Sequence, residues 1–333
     1  MSKFSKKIKE FQCPKDYPIS GVLPPVKRII VIGDVHGDMK RFKDHLKLAK
    51  IIDDEDNWIG GETVLVQLGD LIDSCRPNKL PDGTLACVDK LDSQGNDLKL
   101  LKYLVKLHNK AIKHNGAVYS IIGNHEIMNV LGSKDTSGYV SPKDFDEIID
   151  LFNDKSINKY EARKKAFKPG NPIANFLACS KFGVLIIGSN LFVHAGMMPE
   201  ISKDYTPHDI NKIIKNYLLN KLDNPIEYEK ILFSSEYSPF WTRVMGKLPT
   251  KLPKTSEECK KHVNPVLNYY KIGKIFIGHS PTLIQNLGIN STCDESVYRV
   301  DTGFAETFDK YRKTPYIPQV LEILNDNEIN IIV

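Results

Sequence analysis

The 333-residue chain has no long apolar run. Its longest aliphatic stretches, Val184 to Ile187 with Leu191 to Val193 and then Ile275 to Ile277, fall well short of the roughly 20 residues that a membrane-spanning helix needs, so no span is expected. The opening residues Met1 to Phe11 carry lysines but neither an apolar centre nor a small-residue cleavage site. That argues against a secretory signal and for a solvated, mobile lead-in over residues 1–25. Close cysteine pairs of the zinc-ribbon or redox type are also missing: Cys13, Cys75, Cys87, Cys179, Cys259 and Cys293 are scattered. Their even number permits three disulfides, but a domain of this size does not require them, and the expectation is unpaired thiols in a reducing, cytoplasmic compartment. A large excess of one sign of charge is lacking as well. A net +5 spread along the chain suits an anionic substrate but is too weak to point to nucleic acid. Neither repeats nor a Pro/Gly linker divide the sequence, so residues 26–333 are expected to form one domain.

What is present is a run of aliphatic segments that each end in metal-binding side chains. Val26 to Ile32 reads as a buried strand and runs into Asp34 and His36 in GDVHG. Val64 to Leu68 runs into Asp70 and Asp73 in GDLID, and Ala117 to Ile122 into Asn124 and His125 in GNHE. Two further strands end at His194 in LFVHAG and His279 in IFIGHS. Between them the 3.6-residue period predicts helices over 39–49, 98–114 and 208–222, and a turn at Ser189-Asn190 predicts a hairpin. The fold class is therefore α/β, and ligands in open α/β sheets collect at the carboxyl ends of strands. Residues 74–97 and 128–175 are expected to be insertions, the second helical and covering the site, and 247–261 an exposed loop.

Carboxylate, imidazole and amide oxygens around a partly open site suit two divalent ions, manganese first, with iron, zinc or cobalt possible. Asp34 and His36 lie on one side of an extended segment and can reach one metal. Asp70, with two oxygens, is the natural bridge, while Asn124, His194 and His279 can complete the second site. Water or hydroxide between two such ions is a nucleophile at neutral pH.

The ordered set GDVHG, GDLID, GNHE, HAG and GHSP, spanning residues 33–281, resembles the metallophosphoesterase superfamily. Within it the set is most similar to the phosphoprotein phosphatases, in the branch of Shewanella-like and diadenosine-tetraphosphatase-like relatives. The resemblance implies the calcineurin-like fold, a central β-sandwich flanked by helices with a dimetal site at strand ends. It also implies that Asp34, His36 and Asp70 hold the first metal, and Asp70, Asn124, His194 and His279 the second. His125 would be the general acid, oriented by Asp73. The family motif places a phosphate-gripping arginine directly after the second aspartate, whereas here Ser74 and Cys75 follow Asp73. Arg243, in FWTR, and Arg76 are the candidates for that clamp alongside Asn124.

Plainer readings hold for other residues. His45, His108, His114, His208 and His262 are expected at the surface, and Cys75 in a loop or core without a nucleophilic role. The leading function is a phosphomonoesterase acting on phosphoserine or phosphothreonine in proteins. The alternatives are a dinucleoside polyphosphate or nucleotide pyrophosphohydrolase, and an inactive binding scaffold. No membrane or nucleic-acid partner is expected, and nothing in the sequence designates a regulatory subunit.

Overall fold

The computed structural model describes residues 4–18, 20–133, 135–154, 156–283 and 287–333. Residues 1–3 of the lysine-bearing opening segment, and Lys134 and Lys155 within the second insertion, lie outside the described residues.

Thirteen strands are described: β1 (Val22–Leu23), β2 (Arg28–Ile32), β3 (Val64–Gln67), β4 (Asn78–Lys79), β5 (Leu85–Ala86), β6 (Ala117–Ser120), β7 (Val184–Ile187), β8 (Asn190–Val193), β9 (Lys274–Ile277), β10 (Asn290–Thr292), β11 (Val297–Arg299), β12 (Val320–Leu324) and β13 (Glu328–Ile332). They form a six-stranded sheet in the order β1-β7-β8-β9-β11-β10, a five-stranded sheet in the order β13-β12-β2-β3-β6, and the small hairpin β4-β5. In the second sheet β2, β3 and β6 run parallel, and in the first β8, β9 and β11 do. Parallel neighbours bring their carboxyl ends to one edge, which aligns GDVHG, GDLID and GNHE in one sheet against HAG and GHSP in the other.

The strands alternate faces as a period of two requires. Ile29 and Val31 of β2, Val66 of β3, Phe192 of β8 and Phe276 of β9 point into one core between the sheets. Ile30, Ile32, Leu65, Val193 and Ile277 point outward, into a second core under the helices. The sheets are thus buried on both faces, which is why their strands read as continuous aliphatic runs. The α/β sandwich flanked by helices follows from this pattern. The helices Met39–Leu48, Asp97–Ala111 and Pro207–Leu218 correspond to the three expected from periodicity, and the expected hairpin joins β7 to β8, though its two-residue turn is Gly188-Ser189 rather than Ser189-Asn190, because Asn190 already pairs with Ile187.

Several expectations are corrected. The opening segment is not a mobile lead-in: Phe4 bridges Phe152, Lys6–Glu10 forms a 3₁₀ helix, Tyr17 stacks on Phe182 at 4.9 Å, and β1 pairs with β7. Apolar side chains at positions 4, 8, 11 and 17 supply the reason, since they find the outer faces of the cores. The cysteines are not free thiols. They pair as Cys13–Cys179, Cys75–Cys87 and Cys259–Cys293, which removes the argument for a reducing, cytoplasmic compartment. The first joins residues 166 apart, a relation that linear spacing cannot disclose. His45 and His108 are buried rather than superficial. Each has an internal partner: His45 bonds the Arg41 carbonyl and the Tyr316 hydroxyl, and His108 the carbonyls of Val118 and Lys15. Burial pushes the His45 imidazole down to about 4, so it stays neutral there. The 247–261 segment contains the start of the short helix Glu257–His262 in addition to loop. Among the described residues no helix is long and apolar enough to cross a membrane.

The disulfides make a direct prediction. Protein unfolded without reductant should yield no thiol to Ellman's reagent, and six after reduction. Replacing Cys259 and Cys293 together with serine should lower the free energy of unfolding by about 2–4 kcal/mol in urea titration. Six reactive thiols before reduction would show that the pairs do not form.

Candidate dimetal site

Asp34, His36, Asp70, Asn124, His125, Arg76, Arg243 and His279 line one cavity of about 700 Å³ at the convergent strand ends. His194 and Asp73 lie fully buried behind its wall. The structure therefore brings all the candidate residues from the sequence to one place. Four of them, His36 (φ 45°), Asp70 (φ 50°), Asp73 (φ 71°) and His279 (φ 63°), take left-handed backbone conformations that cost about 1–3 kcal/mol each in non-glycine residues. The turns that follow the strands need this conformation to swing the side chains inward. Two glycines make the close approach possible: a Cβ at Gly123 would collide with Asp70 Oδ1, and one at Gly278 with Asp34 Oδ1.

Asp70 is the centre of the cluster. Its Oδ1 accepts the His125 backbone N–H at 2.9 Å and faces His194 Nε2 at 3.3 Å. Its Oδ2 lies 3.8 Å from His36 Nε2 and 3.9 Å from His125 Nε2. Burial would raise its pKa, but His194 and His125 outweigh that and hold the carboxyl well below the usual carboxylate range. The N-terminus of the helix Asn124–Leu131 points at the same carboxylate and favours its charge. Asn124 Oδ1 lies 3.0 Å from His194 Nε2, so Asn124, Asp70 and His194 present donors to one point. His36 Nε2 is also 3.8 Å from Asp34 Oδ2.

Backbone carbonyls assign the ring tautomers. His36 Nδ1 donates to Ile72 O at 3.2 Å, leaving its Nε2 with a free lone pair toward the cluster, and His194 Nδ1 donates to Leu68 O at 2.7 Å, which turns its Nε2 toward Asp70 and Asn124. His279 Nε2 donates to Trp241 O at 3.0 Å, which leaves Nδ1. Burial lowers the pKa of His36 and of His279 well below the usual value, the neutral form a metal requires. His194 behaves oppositely: burial disfavours its charge, but the Asp70 carboxylate raises its pKa. Two compact groups result, His36 with Asp70 and His125, and Asp70 with His194 and His279, sharing Asp70.

The donor set fits two divalent cations on charge grounds too. Burial, with Asp301 and Asp70 nearby, raises the Asp34 pKa well above normal, and burial pushes Asp301 up to about 6. Asp34 and Asp301, packed out of water beside the Asp70 carboxylate without a counter-cation, favour protonation; dications in their midst would let both ionise alongside Asp70.

Sequence reasoning missed the support around this cluster. His125 Nδ1 bonds Asp73 Oδ2 at 2.8 Å, and Asp73 is in turn held by Asn129 Nδ2 at 2.9 and 3.0 Å and by Arg163 Nη2 at 3.0 Å. Arg163 also binds Asp97 Oδ2 at 2.8 Å. Glu126 accepts the backbone N–H groups of Asp70, Leu71 and Gly123, and so ties GDLID to GNHE. Glu126 at the third position of a helix is a capping signal that the GNHE segment carried openly, and Asp301 ends β11 as the other aspartates end theirs. Arg163 carried no local signal. It lies in the 128–175 insertion, which forms a buried brace behind the catalytic face in addition to any cover over it.

No arginine directly follows Asp73, but two arginines line the cavity. Arg76, three residues on, packs its guanidinium over the Phe308 ring at 4.3 Å and anchors Nη1 to Cys75 O at 2.8 Å. Arg243 enters from the opposite wall with Nη1 on His279 O at 2.7 Å. Both cations thus stand at the mouth of the same cavity.

A model of the calcineurin-like phosphoesterases matches residues 27–283. The chain belongs to this family of phosphoester hydrolases. It is 39% identical over 247 residues, 68% of its length, to an uncharacterized protein, R398, of Acanthamoeba polyphaga mimivirus, and covers 96% of it. It is 27% identical to Shewanella-like protein phosphatase 2 of Arabidopsis thaliana over 95% of the chain and 84% of the relative. Among solved structures, a cold-active protein-tyrosine phosphatase from a psychrophilic Shewanella shares the fold with a TM-score of 0.68 at 21% identity, covering 99% of this chain and 86% of that one. The family and its Shewanella-like branch agree with the motif resemblance.

The brace is open to test. Arg163→Met should leave Asp73 and Asp97 buried without their cation and lower stability in urea titration by about 3–5 kcal/mol. A loss under about 1 kcal/mol would mean that the guanidinium is not what holds these carboxylates.

Proposed function

We propose that the chain is a metal-dependent phosphoprotein phosphatase acting on phosphoserine and phosphothreonine, with His125 as the proton donor to the leaving oxygen. The observation that carries the reading is the Asp73–His125 pair. Its 2.8 Å bond to Nδ1 leaves Nε2 facing the cavity beside the donor cluster. A binding scaffold would have no use for an imidazole oriented by a carboxylate that is itself held by Asn129 and Arg163.

Asp34, His36, Asp70, Asn124, His194 and His279 would hold two divalent ions, manganese first among manganese, iron, zinc and cobalt. Such a pair, when bound, supplies a nucleophilic water at neutral pH and neutralises phosphoryl charge. The protein's own groups do the rest. Arg243 and Arg76 would clamp the phosphoryl oxygens from two sides, a fork matching paired oxygens as a lysine cannot. Arg243 is the more available, being exposed with one nitrogen committed to a carbonyl. Asp73 keeps the His125 N–H on Nδ1, so the proton given up from Nε2 goes to the departing alkoxide. The name of the Arabidopsis relative supports a phosphoprotein substrate.

A second reading has one observation in its favour. Tyr139, Trp241 and Phe308 all line the cavity, and aromatic walls suit a phosphotyrosine ring. Nucleotide hydrolysis gains less, because Tyr139 already packs edge-on against His125 at 5.0 Å and offers no free stacking shelf.

His125→Asn should lower kcat on a phosphothreonine peptide by about 10²–10⁴-fold while leaving metal content intact. The same change should matter far less for p-nitrophenyl phosphate, whose leaving group needs no proton. Equal losses on both substrates would assign His125 to another task, and an unchanged peptide kcat would remove it from the chemistry.

A further inference from the structure

A second cavity of about 920 Å³ opens beside the first and shares Arg243, Lys247, Pro281 and Phe308 with it. Three cations, Arg243, Lys247 and Arg299, line it, and no carboxylate does among the described residues. Arg299, on β11, is only 4% exposed. Its Nε donates to Asn290 Oδ1 at 2.7 Å and its Nη1 to Leu248 O at 2.5 Å, which fixes the guanidinium in place. Its Nη2 is buried with no hydrogen-bond partner, and so is Ser280 Oγ, which immediately follows the candidate ligand His279.

Unpaired buried donors are costly unless a ligand or water completes them, so such groups mark places where an acceptor belongs. Here the two residues that carry them both line one cavity, in a positive field. Leu248, Leu283 and Leu287 form the remaining wall, which suits a short aliphatic stem. The occupant this combination describes is a carboxylate on one or two methylenes, reached by a chain whose phosphate sits in the neighbouring dimetal cavity.

We propose that this cavity is a specificity subsite that binds the side chain of an aspartate or glutamate flanking the phosphorylated residue, with Arg299, Ser280 and Lys247 as its recognition groups. The inference rests on the phosphoprotein reading above and narrows it to acidic phosphopeptides. The carboxylate supplies the acceptor that Arg299 Nη2 and Ser280 Oγ lack, and the surface-exposed Lys247 draws it in at long range. A lysine in the same position would meet three like charges, so discrimination comes from repulsion as well as attraction.

The test compares kcat/KM for phosphothreonine peptides that differ only in glutamate or lysine at the flanking positions. The holoenzyme should prefer the acidic series by about tenfold or more, and the preference should shrink as salt is raised. Lys247→Glu, at the surface, should cut or reverse that ratio. Arg299→Gln should abolish it, and Arg299→Lys should retain part of it. Because the ratio is the readout, a general loss of activity in a variant does not disturb it. Equal turnover of both series, or a ratio untouched by Lys247→Glu, would overturn the subsite and leave the phosphatase reading standing. Turnover of diadenosine tetraphosphate with none of either peptide would overturn both.

Discussion

The Asp70 carboxylate is held ionised out of water, between three imidazoles and at the tip of a helix, and the other features of the site follow from that placement. A buried carboxylate is tolerated only where hydrogen bonds and opposite charge surround it. The backbone N–H of His125 and the nearby imidazoles supply part of that environment. Adding Asp34 and Asp301 to the same space exceeds what the imidazoles can balance, and two dications would answer the excess. The left-handed turns at His36, Asp70, Asp73 and His279 are the conformational cost of aiming these side chains at one point, and the double-sided core of the sandwich offsets it.

Behind this cluster a second charge system does a separate job. Arg163 and Asn129 hold Asp73, Asp97 accepts the Asp73 N–H at 3.0 Å, and Asp144 accepts from the Ser74 and Ser141 hydroxyls and from the Asp97 N–H at the start of the helix Asp97–Ala111. The orientation of the His125 ring therefore depends on residues as far away in sequence as the second insertion. The disulfide Cys75–Cys87 closes the loop that carries Arg76 into the cavity, so a cavity-lining cation is tethered three residues after Asp73.

Much of this was legible before any coordinates. Each ligand sits at the end of an aliphatic run, and parallel pairing of β2, β3 and β6 does with those runs what the pattern implies. Relations across long separations were not legible. Cys13 meets Cys179 and Arg163 meets Asp73 only because the fold returns the chain to itself, and neither carries a local signature. His45 and His108 misled for a different reason. Each lies among lysines on a helix whose polar face looks continuous in sequence, yet the ring turns inward to satisfy carbonyls or a hydroxyl. The lead-in misled because its few apolar residues are spaced irregularly, without a period to betray their contacts.

The central claim is that Asp70 is shared by two cation sites. Anomalous diffraction from crystals grown with manganese, recorded at its absorption edge, tests it without reference to activity. The account predicts two peaks, one on each side of the Asp70 carboxylate, with one near Asp34 and His36 and the other near Asn124, His194 and His279. A single peak, or two that leave Asp70 uncoordinated, would contradict it.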